Sequence, residues 1–347
     1  MTGVAKTDRL QPIALASRTQ GSWLFIGLTL FILLFFALSL SLGRVPLAFF
    51  EALGALLEGE DTLGAIVLYE IRLPRALLAL MVGATLGLTG AALQGYLRNP
   101  LAEPGIIGVS ASAALGSVLV FYYGLAAVFP LALPLGGMAG AFVAVLLMHL
   151  LAGRQGSALG LILAGVAVNS LAAALTALAL NLAPNPFAAT EIIFWLLGSL
   201  ADRSFTHVAL AAPLMALGGL VMLTLGRALD ALSLGEETAE SLGVDLGALR
   251  LRLILGTALG VGAAVSVAGA IGFVGLIVPH LLRPLVGHRP SLLLPASALG
   301  GAALTLVSDI AVRFAPFGPE LRLGVFTALI GAPFFFYLVI RLRRETW

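Results

Sequence analysis

The side chains that could bind a partner or do chemistry are concentrated in one charged stretch, residues 227–252. It holds five carboxylates and three arginines between long apolar segments, so we expect it to lie in water. Gly235 and Gly243 predict two short helices separated by turns. Leu234 and Leu242 add apolar side chains that a merely solvated loop would not need. This pattern is typical of a surface that a soluble partner protein grips.

Catalytic and metal-binding chemistry has little support in the rest of the chain. There is no cysteine, and the four histidines lack the i,i+4 spacing that would hold a metal ion. No serine–histidine or two-carboxylate pair stands out, which argues against an intramembrane enzyme. The single lysine, Lys6, lies in the N-terminal tail, so a P-loop for ATP is excluded. We therefore expect a non-catalytic protein without a metal site.

Composition places the chain in a membrane. Hydrophobic residues make up 60% of it and charged residues only 10%, whereas about a quarter of residues are charged in soluble domains. The mean hydropathy is +1.08, and apolar windows of about 20 residues are long enough to cross a bilayer as helices. Asp309 is the one acid that falls within these windows, near an outer helix end. A proton-coupled secondary transporter, which would need buried acids, is therefore disfavoured.

The pattern predicts an all-α polytopic membrane protein, with residues 1–347 forming a single transmembrane domain. Residues 1–22 are predicted to be a cytoplasmic tail and residues 227–252 a cytoplasmic loop. The ten predicted spans are 23–42, 76–97, 105–124, 135–152, 159–182, 207–225, 253–270, 273–286, 292–312 and 323–340. With this topology, thirteen of the nineteen Lys and Arg residues lie on the side of the N-terminus. The positive-inside rule then places both termini in the cytoplasm.

Small residues dominate the spans and predict close packing of the helices. Glycines four residues apart put a groove on one helix face, which a neighbouring backbone can approach closely. The pairs are Gly83 and Gly87, Gly136 and Gly140, and Gly256 and Gly260.

Three segments of the chain resemble the permease subunit of the iron-chelate, heme and cobalamin class of bacterial ABC importers. They are RLPRALLALMVGATLGLTGAALQGYLRNPLAEPGIIGVSASAALG (Arg72–Gly116), GAIGFVGLIVPHLLR (Gly269–Arg283) and LGVFTALIGAPFFFYLV (Leu323–Val339). The resemblance covers nearly the whole chain in the family's order. It implies a ten-span subunit of the bacterial inner (cytoplasmic) membrane, which forms a homodimer in the lipid bilayer with the substrate path along the two-fold axis.

The same resemblance implies the partners. Two copies of a separate ATPase, which hold the ATP and magnesium, bind on the cytoplasmic side, and a periplasmic substrate-binding protein docks on the other. This subunit is expected to bind no cofactor and no nucleic acid. The charged loop matches the family's coupling helices, whose apolar tips insert into clefts on the ATPase. The candidate coupling residues are Leu234, Gly235, Glu236, Glu237, Leu242 and Gly243.

The resemblance also assigns residues to docking and to the path. Arg72, Arg75 and Arg313 match outward-facing arginines that pair with glutamates on the binding protein, and the planar guanidinium fork suits that role. Residues 153–160 correspond to the cytosolic gate, with Ser157, Ala158 and Leu159 as candidates. Asn169, at mid-membrane depth in the fifth span, either lines the path or makes a hydrogen bond between packed helices.

The cargo is predicted to be heme, with cobalamin and ferric siderophores as the alternatives. The AEPG sequence after Leu101 is more like that of heme and cobalamin members. Heme is a flat, largely apolar ring with two anionic propionates, and it would suit an apolar path with a few cations at its mouth. Arg203 and Arg322 are candidate contacts for the propionates, although either could equally anchor the chain at the membrane surface.

Overall fold

The computed structural model describes residues 11–43, 46–129, 131–152, 158–183, 185–315 and 321–345, and this part of the chain is almost entirely helical. Its α-helices are α1 (Gln11–Ser41), α2 (Phe49–Glu58), α3 (Leu63–Ile66), α4 (Leu73–Leu97), α5 (Val109–Tyr122), α6 (Leu125–Val128), α7 (Ala132–Ala152), α8 (Ala158–Asn181), α9 (Pro186–Leu196), α10 (Phe205–Leu223), α11 (Gly226–Leu232), α12 (Glu236–Ser241), α13 (Leu246–Ala268), α14 (Val274–Leu282), α15 (Pro290–Arg313) and α16 (Leu323–Glu345). Short 3₁₀-helices cover Pro104–Ile107 and Pro284–Val286.

Eight helical stretches in the described residues are long and apolar enough to cross a membrane. They are Ser22–Ser41, Leu63–Leu97, Ala132–Leu151, Leu159–Asn181, Phe205–Leu223, Leu246–Ala268, Pro290–Arg313 and Leu323–Arg341. The other two predicted spans correspond to shorter helices, since α5 has 14 residues and α14 has 9. Of the ten predicted spans, the eighth of which was predicted to be short, eight therefore correspond to helices long enough to cross a membrane.

The second span is longer than predicted, because its helix begins at Leu63 and not near residue 76. The Thr62 side chain caps its start by accepting a hydrogen bond from the Ala65 N–H at 3.3 Å. A π-helical stretch, Val67–Arg72, connects α3 to α4. Only Leu73 separates it from Pro74, which has no N–H to donate into the preceding turn. Most of residues 46–75, the described part of the connection between the first two predicted spans, is thus helix.

Helix α4 lies at the centre of the bundle and packs on α15, α14, α13 and α10. In its apolar, membrane-length window 78% of the residues are buried, and in that of α13 72% are buried. By contrast, the share of buried residues is 11% in the window of Ser22–Ser41 and 22% in that of Leu323–Arg341. The apolar composition is similar in all four, so the difference reflects position: α4 and α13 form the core, whereas α1 and α16 lie at the periphery.

The predicted glycine grooves are confirmed, and each faces a different neighbour. A Cβ atom added to Gly87 would lie 2.1 Å from the Ser297 carbonyl oxygen on α15. The α7 pair approaches α5 in the same way, since a Cβ atom on Gly116 would lie 2.0 Å from the Gly136 carbonyl oxygen. The α13 pair approaches Gly218 on α10. Only glycine permits these backbone contacts.

The helices define two ends of the molecule. At the charged-loop end, Arg98 after α4 pairs with Glu236 of α12 at 3.1 Å. The Asp230 carboxylate of α11 accepts a hydrogen bond at that end from the Ser291 N–H of α15, at 2.9 Å. The opposite end contains the C-terminus of α1, the start of α4 and Asp309 near the end of α15.

Candidate functional site

The charged loop folds as the sequence predicts, into the two short helices α11 and α12. Gly235 has a φ of 113° between them and Gly243 a φ of 85° after them, a backbone region that other residues rarely adopt. The Asp245 side chain then caps α13 by accepting from the Ala248 N–H at 2.9 Å. The loop is therefore a defined structure on the end of the bundle.

The apolar side chains of the loop separate into two groups. Leu229, Leu232 and Ala239 are buried and attach α11 and α12 to the bundle. Leu234 is 66% exposed and Leu242 is 63% exposed, each directly before one of the two glycine turns. Water-exposed leucines on a segment that is otherwise anchored are typical of the apolar centre of a protein interface.

An acidic rim surrounds these leucines. Glu237 and Glu240 are exposed, and Glu236 makes the ion pair with Arg98. Both partners of that pair are close to half exposed, so it contributes about 0–1 kcal/mol to stability. The structure therefore brings all six candidate coupling residues onto one surface of the charged-loop end.

At the opposite end, the Asp309 carboxylate has no exposed surface and pairs with two arginines. Arg75 of α4 donates from Nη2 at 2.9 Å and from Nε at 2.9 Å. Arg313, one turn beyond Asp309 on α15, donates from Nε at 3.0 Å. Two guanidinium groups thus share one buried carboxylate, which joins α4 to α15.

The same arginine cluster holds the C-terminus of α1. Arg72 donates from Nη1 to the carbonyl oxygens of Leu40 and Ser41, at 2.8 and 2.6 Å. Arg313 donates to the Ser39 carbonyl oxygen at 2.8 Å. The last carbonyls of a helix lack partners within the helix, and cations near them are favourable. The cluster therefore attaches α1 to the core helices.

This placement corrects the expectation that the three predicted docking arginines face outward. Arg72 is 4% exposed and the Arg313 side chain is 4% exposed, whereas the Arg75 side chain is 12% exposed. Their guanidinium groups donate hydrogen bonds within the subunit, because a buried carboxylate and helix carbonyls lie next to them. Their role in docking stays a prediction.

The exposed charges of the opposite end are acidic in the part of the chain that the structure describes. No arginine or lysine described there is fully exposed. The exposed acids are Glu51, Glu58, Glu60, Asp61, Glu70, Glu191 and Asp202. Counting residues in loops could not reveal this, because the count does not show which arginines are buried.

The two candidate cargo arginines both lie at the opposite end. Arg203 donates from Nε to the Val267 carbonyl oxygen at 2.5 Å. Burial lowers the pKa of Arg203 from its ordinary value, Asp202 opposes that change, and the charge of Arg322 adds to it. The Arg322 guanidinium lies 5.3 Å from the centre of the Phe194 ring. Both arginines are half-buried.

The predicted gate is only partly described. Ser157 and most of residues 153–160 lie outside the described residues, as does the side chain of Ala158, with which α8 begins. Leu159 is 63% exposed. Asn169 is half-buried at the point where α8 passes Gly108, since a Cβ atom on Gly108 would lie 2.8 Å from the Asn169 backbone nitrogen. This packing leaves open both interpretations of Asn169.

The sequence matches the FecCD transport family over residues 30–341, which is most of the chain. The chain belongs to the FecCD transport family. It is 36% identical over 330 residues to the hemin transport system permease protein HmuU of Yersinia pestis, covering 93% of this chain and 97% of that one. It is 39% identical over 324 residues to the vitamin B12 import system permease protein BtuC of Vibrio cholerae, covering 93% and 94%.

A solved structure gives the same result for the fold. An inward-facing metal-chelate type ABC transporter superposes with a TM-score of 0.80 at 35% identity, over 92% of this chain and 99% of that one. The chain is therefore a permease subunit of the metal-chelate, heme and vitamin B12 class of ABC importers, and it is not itself catalytic. The resemblance found in the three sequence segments is confirmed.

The FecCD motif segments also hold a polar cluster that the sequence analysis missed. Gln94 of α4 donates to the Gly275 carbonyl oxygen at 3.2 Å and accepts a hydrogen bond from Arg283. Glu103, in the loop before α5, accepts from the Phe273 N–H at 3.3 Å. Polar side chains within otherwise apolar motifs were the available signal. Their partners could not be deduced, because these lie about 170 to 190 residues away in the sequence.

Proposed function

We propose that this permease is the membrane subunit of an ATP-driven importer, and that its charged loop receives the ATPase. The exposure of Leu234 and Leu242 on an anchored loop is the observation that carries this proposal. Two apolar side chains that project from an acidic rim fit an apolar cleft in a soluble partner. The subunit has no P-loop of its own, so the energy of ATP must come through such a contact.

The distribution of exposed charge supports a cytoplasmic position for the charged-loop end. Exposed arginines cluster there, whereas the exposed charges described at the opposite end are acidic. The positive-inside rule assigns the arginine-rich end to the cytoplasm of a bacterial inner membrane, and both termini with it. The exposed arginines are Arg98, Arg227, Arg252, Arg289 and Arg341.

Two copies of the subunit are proposed to form the transport path. In the apolar window of α8 28% of the residues are buried within one subunit, and the helix carries large exposed apolar residues from Leu159 to Leu178. A second copy would cover part of this face. An apolar groove of about 390 Å³ lies beside it, between α5, α7 and α8, and Leu171 and Leu175 line it. Asn169 would contribute an amide to the same region.

Docking of the binding protein is proposed at the opposite end, with Arg75 as the main contact among the three predicted arginines. Its side chain keeps 12% exposure, whereas the other two are almost fully buried. Asp309 fixes the Arg75 guanidinium, so a second carboxylate would meet a group that is already oriented. Arg72 and Arg313 would support the site by holding α1 against it.

Heme is the proposed cargo. The position of Arg203 and Arg322 at the opposite end supports it, since two cations there suit two propionates. The Phe194 ring beneath Arg322 adds an apolar surface of the kind that a porphyrin face would contact. Cobalamin carries amides in place of carboxylates and would gain less from these arginines. Cobalamin and ferric siderophores remain the alternatives, because heme and vitamin B12 permeases are about equally similar to this chain.

Transport by the reconstituted complex tests the proposal. In liposomes that contain the permease, its ATPase and its binding protein, heme should accumulate when ATP is added. Uptake of cobalamin or a ferric siderophore without uptake of heme would overturn the cargo and leave the importer function in place. Uptake that follows a proton gradient and ignores ATP would overturn the importer function itself.

A further inference from the structure

A strained break separates α13 from α14. Residues 269–273 connect the two helices, with Gly269 at a φ of 72° and Phe273 at a φ of 67°. Glycine adopts such angles freely, but they strain the backbone of a bulky residue. A phenylalanine therefore stays in this conformation only where its surroundings hold it there.

Groups from α4 and from the loop after it hold the α14 end of the break. The Glu103 carboxylate accepts the Phe273 N–H at 3.3 Å, and the Gln94 amide donates to the Gly275 carbonyl oxygen at 3.2 Å. Phe273 is the capping residue of α14, so Glu103 also places a carboxylate at the N-terminus of that helix. The Glu103 carboxylate is thus a specific hydrogen-bond partner for the left-handed backbone of Phe273.

The left-handed backbone of Phe273 places its side chain against α16. A Cβ atom added to Gly331 of α16 would lie 2.2 Å from Cγ and 2.3 Å from Cβ of Phe273. The ring root therefore rests directly on the α16 backbone, in a notch that exists because residue 331 has no side chain. A second contact lies further along, where the His280 and Phe334 rings meet edge to face at 5.7 Å.

The two helices that meet at this notch are held very differently. Most residues of α14 are buried, and its end is bonded to α4 through Arg283 and Gln94. In the apolar window of α16 22% of the residues are buried, and the helix packs mainly on α14 and α15. A change in the position of α16 would therefore alter its contact with α14, and the Phe273–Gly331 contact lies within that interface.

We propose that Glu103 is a positioning residue, which holds Phe273 in its left-handed conformation so that the ring seats α16 against α14 at Gly331. Loss of the carboxylate lets the Phe273 backbone relax, withdraws the ring from the notch and frees α16. The seating of α16 is a property of the chain alone. Its use in transport rests on the proposed function, in which a loosely packed helix would move as the path opens.

The distance between α14 and α16 can be measured directly, because the chain has no cysteine. Nitroxide labels at Leu281→Cys on α14 and Phe336→Cys on α16 are suitable, as both positions are exposed. The full chain is placed in lipid nanodiscs, with labelled copies diluted in unlabelled ones so that only distances within one subunit are recorded. Pulsed electron resonance then gives the distance distribution for each variant.

We expect Glu103→Ala to broaden this distribution. Glu103→Gln, which keeps an oxygen acceptor, should give the same distribution as the chain with Glu103. In a Phe273→Gly background the broadening is already present, and Glu103→Ala should add nothing, because glycine needs no partner at that φ. Tyr337→Ala, which removes an exposed aromatic side chain from α16, is the matched control and should leave the distribution unchanged.

An unchanged distribution in Glu103→Ala would overturn the proposal, as would equal broadening by Glu103→Ala and Glu103→Gln. If Glu103→Ala does not fold, Gly331→Ala decides, since the added methyl group fills the notch and should shift the mean distance. No shift in that variant would also overturn the proposal. The measurement requires neither cargo nor ATPase, so its failure would leave the importer function standing.

Discussion

Asp309 and Arg75 form a buried ion pair at 2.9 Å, although 234 residues separate them in the sequence. The pair joins α15 to α4, the two helices that make the largest contact in the bundle. Arg313 shares the same carboxylate and also binds the end of α1. Asp309 is the one acid within the predicted spans, where a proton-coupled transporter would need buried acids. In the structure its carboxylate instead helps to hold three helices together.

Replacing Asp309 by alanine should strongly destabilise the bundle. The change leaves two almost fully buried guanidinium groups without their carboxylate, and breaking a buried pair in this way costs about 3–5 kcal/mol. Thermal unfolding of the purified permease measures the effect. Glu191→Ala, which removes an exposed acid from the same end, should leave the midpoint unchanged. Equal midpoints for the two variants would show that the Asp309 cluster is not structural.

Replacing Arg75 by alanine should weaken the association of the binding protein, and the wild-type affinity should fall as salt is raised. Basal ATP hydrolysis should persist, because Arg75 lies at the end opposite to the charged loop. Arg72→Ala and Arg313→Ala should act mainly through stability, since both side chains are buried, whereas Arg75→Ala removes a partner of the buried Asp309 and should lower both stability and affinity. Surface-bound binding protein titrated with each variant separates these effects. An unaltered affinity of Arg75→Ala at low salt would contradict docking through this residue.

The fold could be predicted from the sequence wherever the information is local. Apolar windows placed the long spans, and Gly235 and Gly243 placed the breaks on either side of α12. Glycine pairs four residues apart predicted close contacts without naming the partner helices. The short eighth span, predicted at 273–286, is covered by α14 and the 3₁₀-helix Pro284–Val286, because Pro284 interrupts the α-helix.

What depends on contacts between distant residues could not be predicted. An arginine at the outer end of a helix has the same sequence signature whether it faces a partner protein or, as with Arg75, a buried aspartate 234 residues away. Residues 63–72 were not predicted to be helical, because the charged side chains of Glu70 and Arg72 indicated a solvent-exposed connection. In the structure Arg72 is buried against the end of α1, which removes the reason for expecting a loop.

Replacing Leu234 or Leu242 by aspartate should weaken attachment of the ATPase and leave the bundle folded. Each leucine is more than 60% exposed, so the change removes little from the subunit itself. Burial of each side chain in the partner would contribute about 1.5–3 kcal/mol to binding. Co-purification of the ATPase and ATP-driven uptake measure the loss. Leu57→Asp, at the opposite end and 79% exposed, is the control and should keep the ATPase. Full co-purification with Leu234→Asp and Leu242→Asp would mean that the ATPase binds elsewhere.

Replacing Gly87 by alanine should separate α4 from α15. The added Cβ atom would meet the Ser297 carbonyl oxygen at 2.1 Å, and overpacking of this kind typically costs about 1–3 kcal/mol. Gly27→Ala on α1 is the matched control, since no atom lies within 4 Å of its added Cβ atom. We expect the Gly27 variant to be as stable as the parent or slightly more stable, because alanine favours a helix. Identical unfolding curves for both variants would contradict the close contact.

Replacing Arg322 by glutamine should reduce heme uptake while leaving basal ATP hydrolysis intact. If the guanidinium contacts a propionate, its loss removes a charge-assisted hydrogen bond of about 1.5–3 kcal/mol, or about a tenfold or greater fall in uptake efficiency. Arg203→Gln should act in the same direction but also disturb the end of α13, because Arg203 binds the Val267 carbonyl oxygen. Arg289→Gln, exposed at the charged-loop end, is the matched control. Initial rates of heme uptake in liposomes measure the effect of each variant. Equal rates for the Arg322 and Arg289 variants would assign Arg322 to packing on Phe194 and remove the main support for heme.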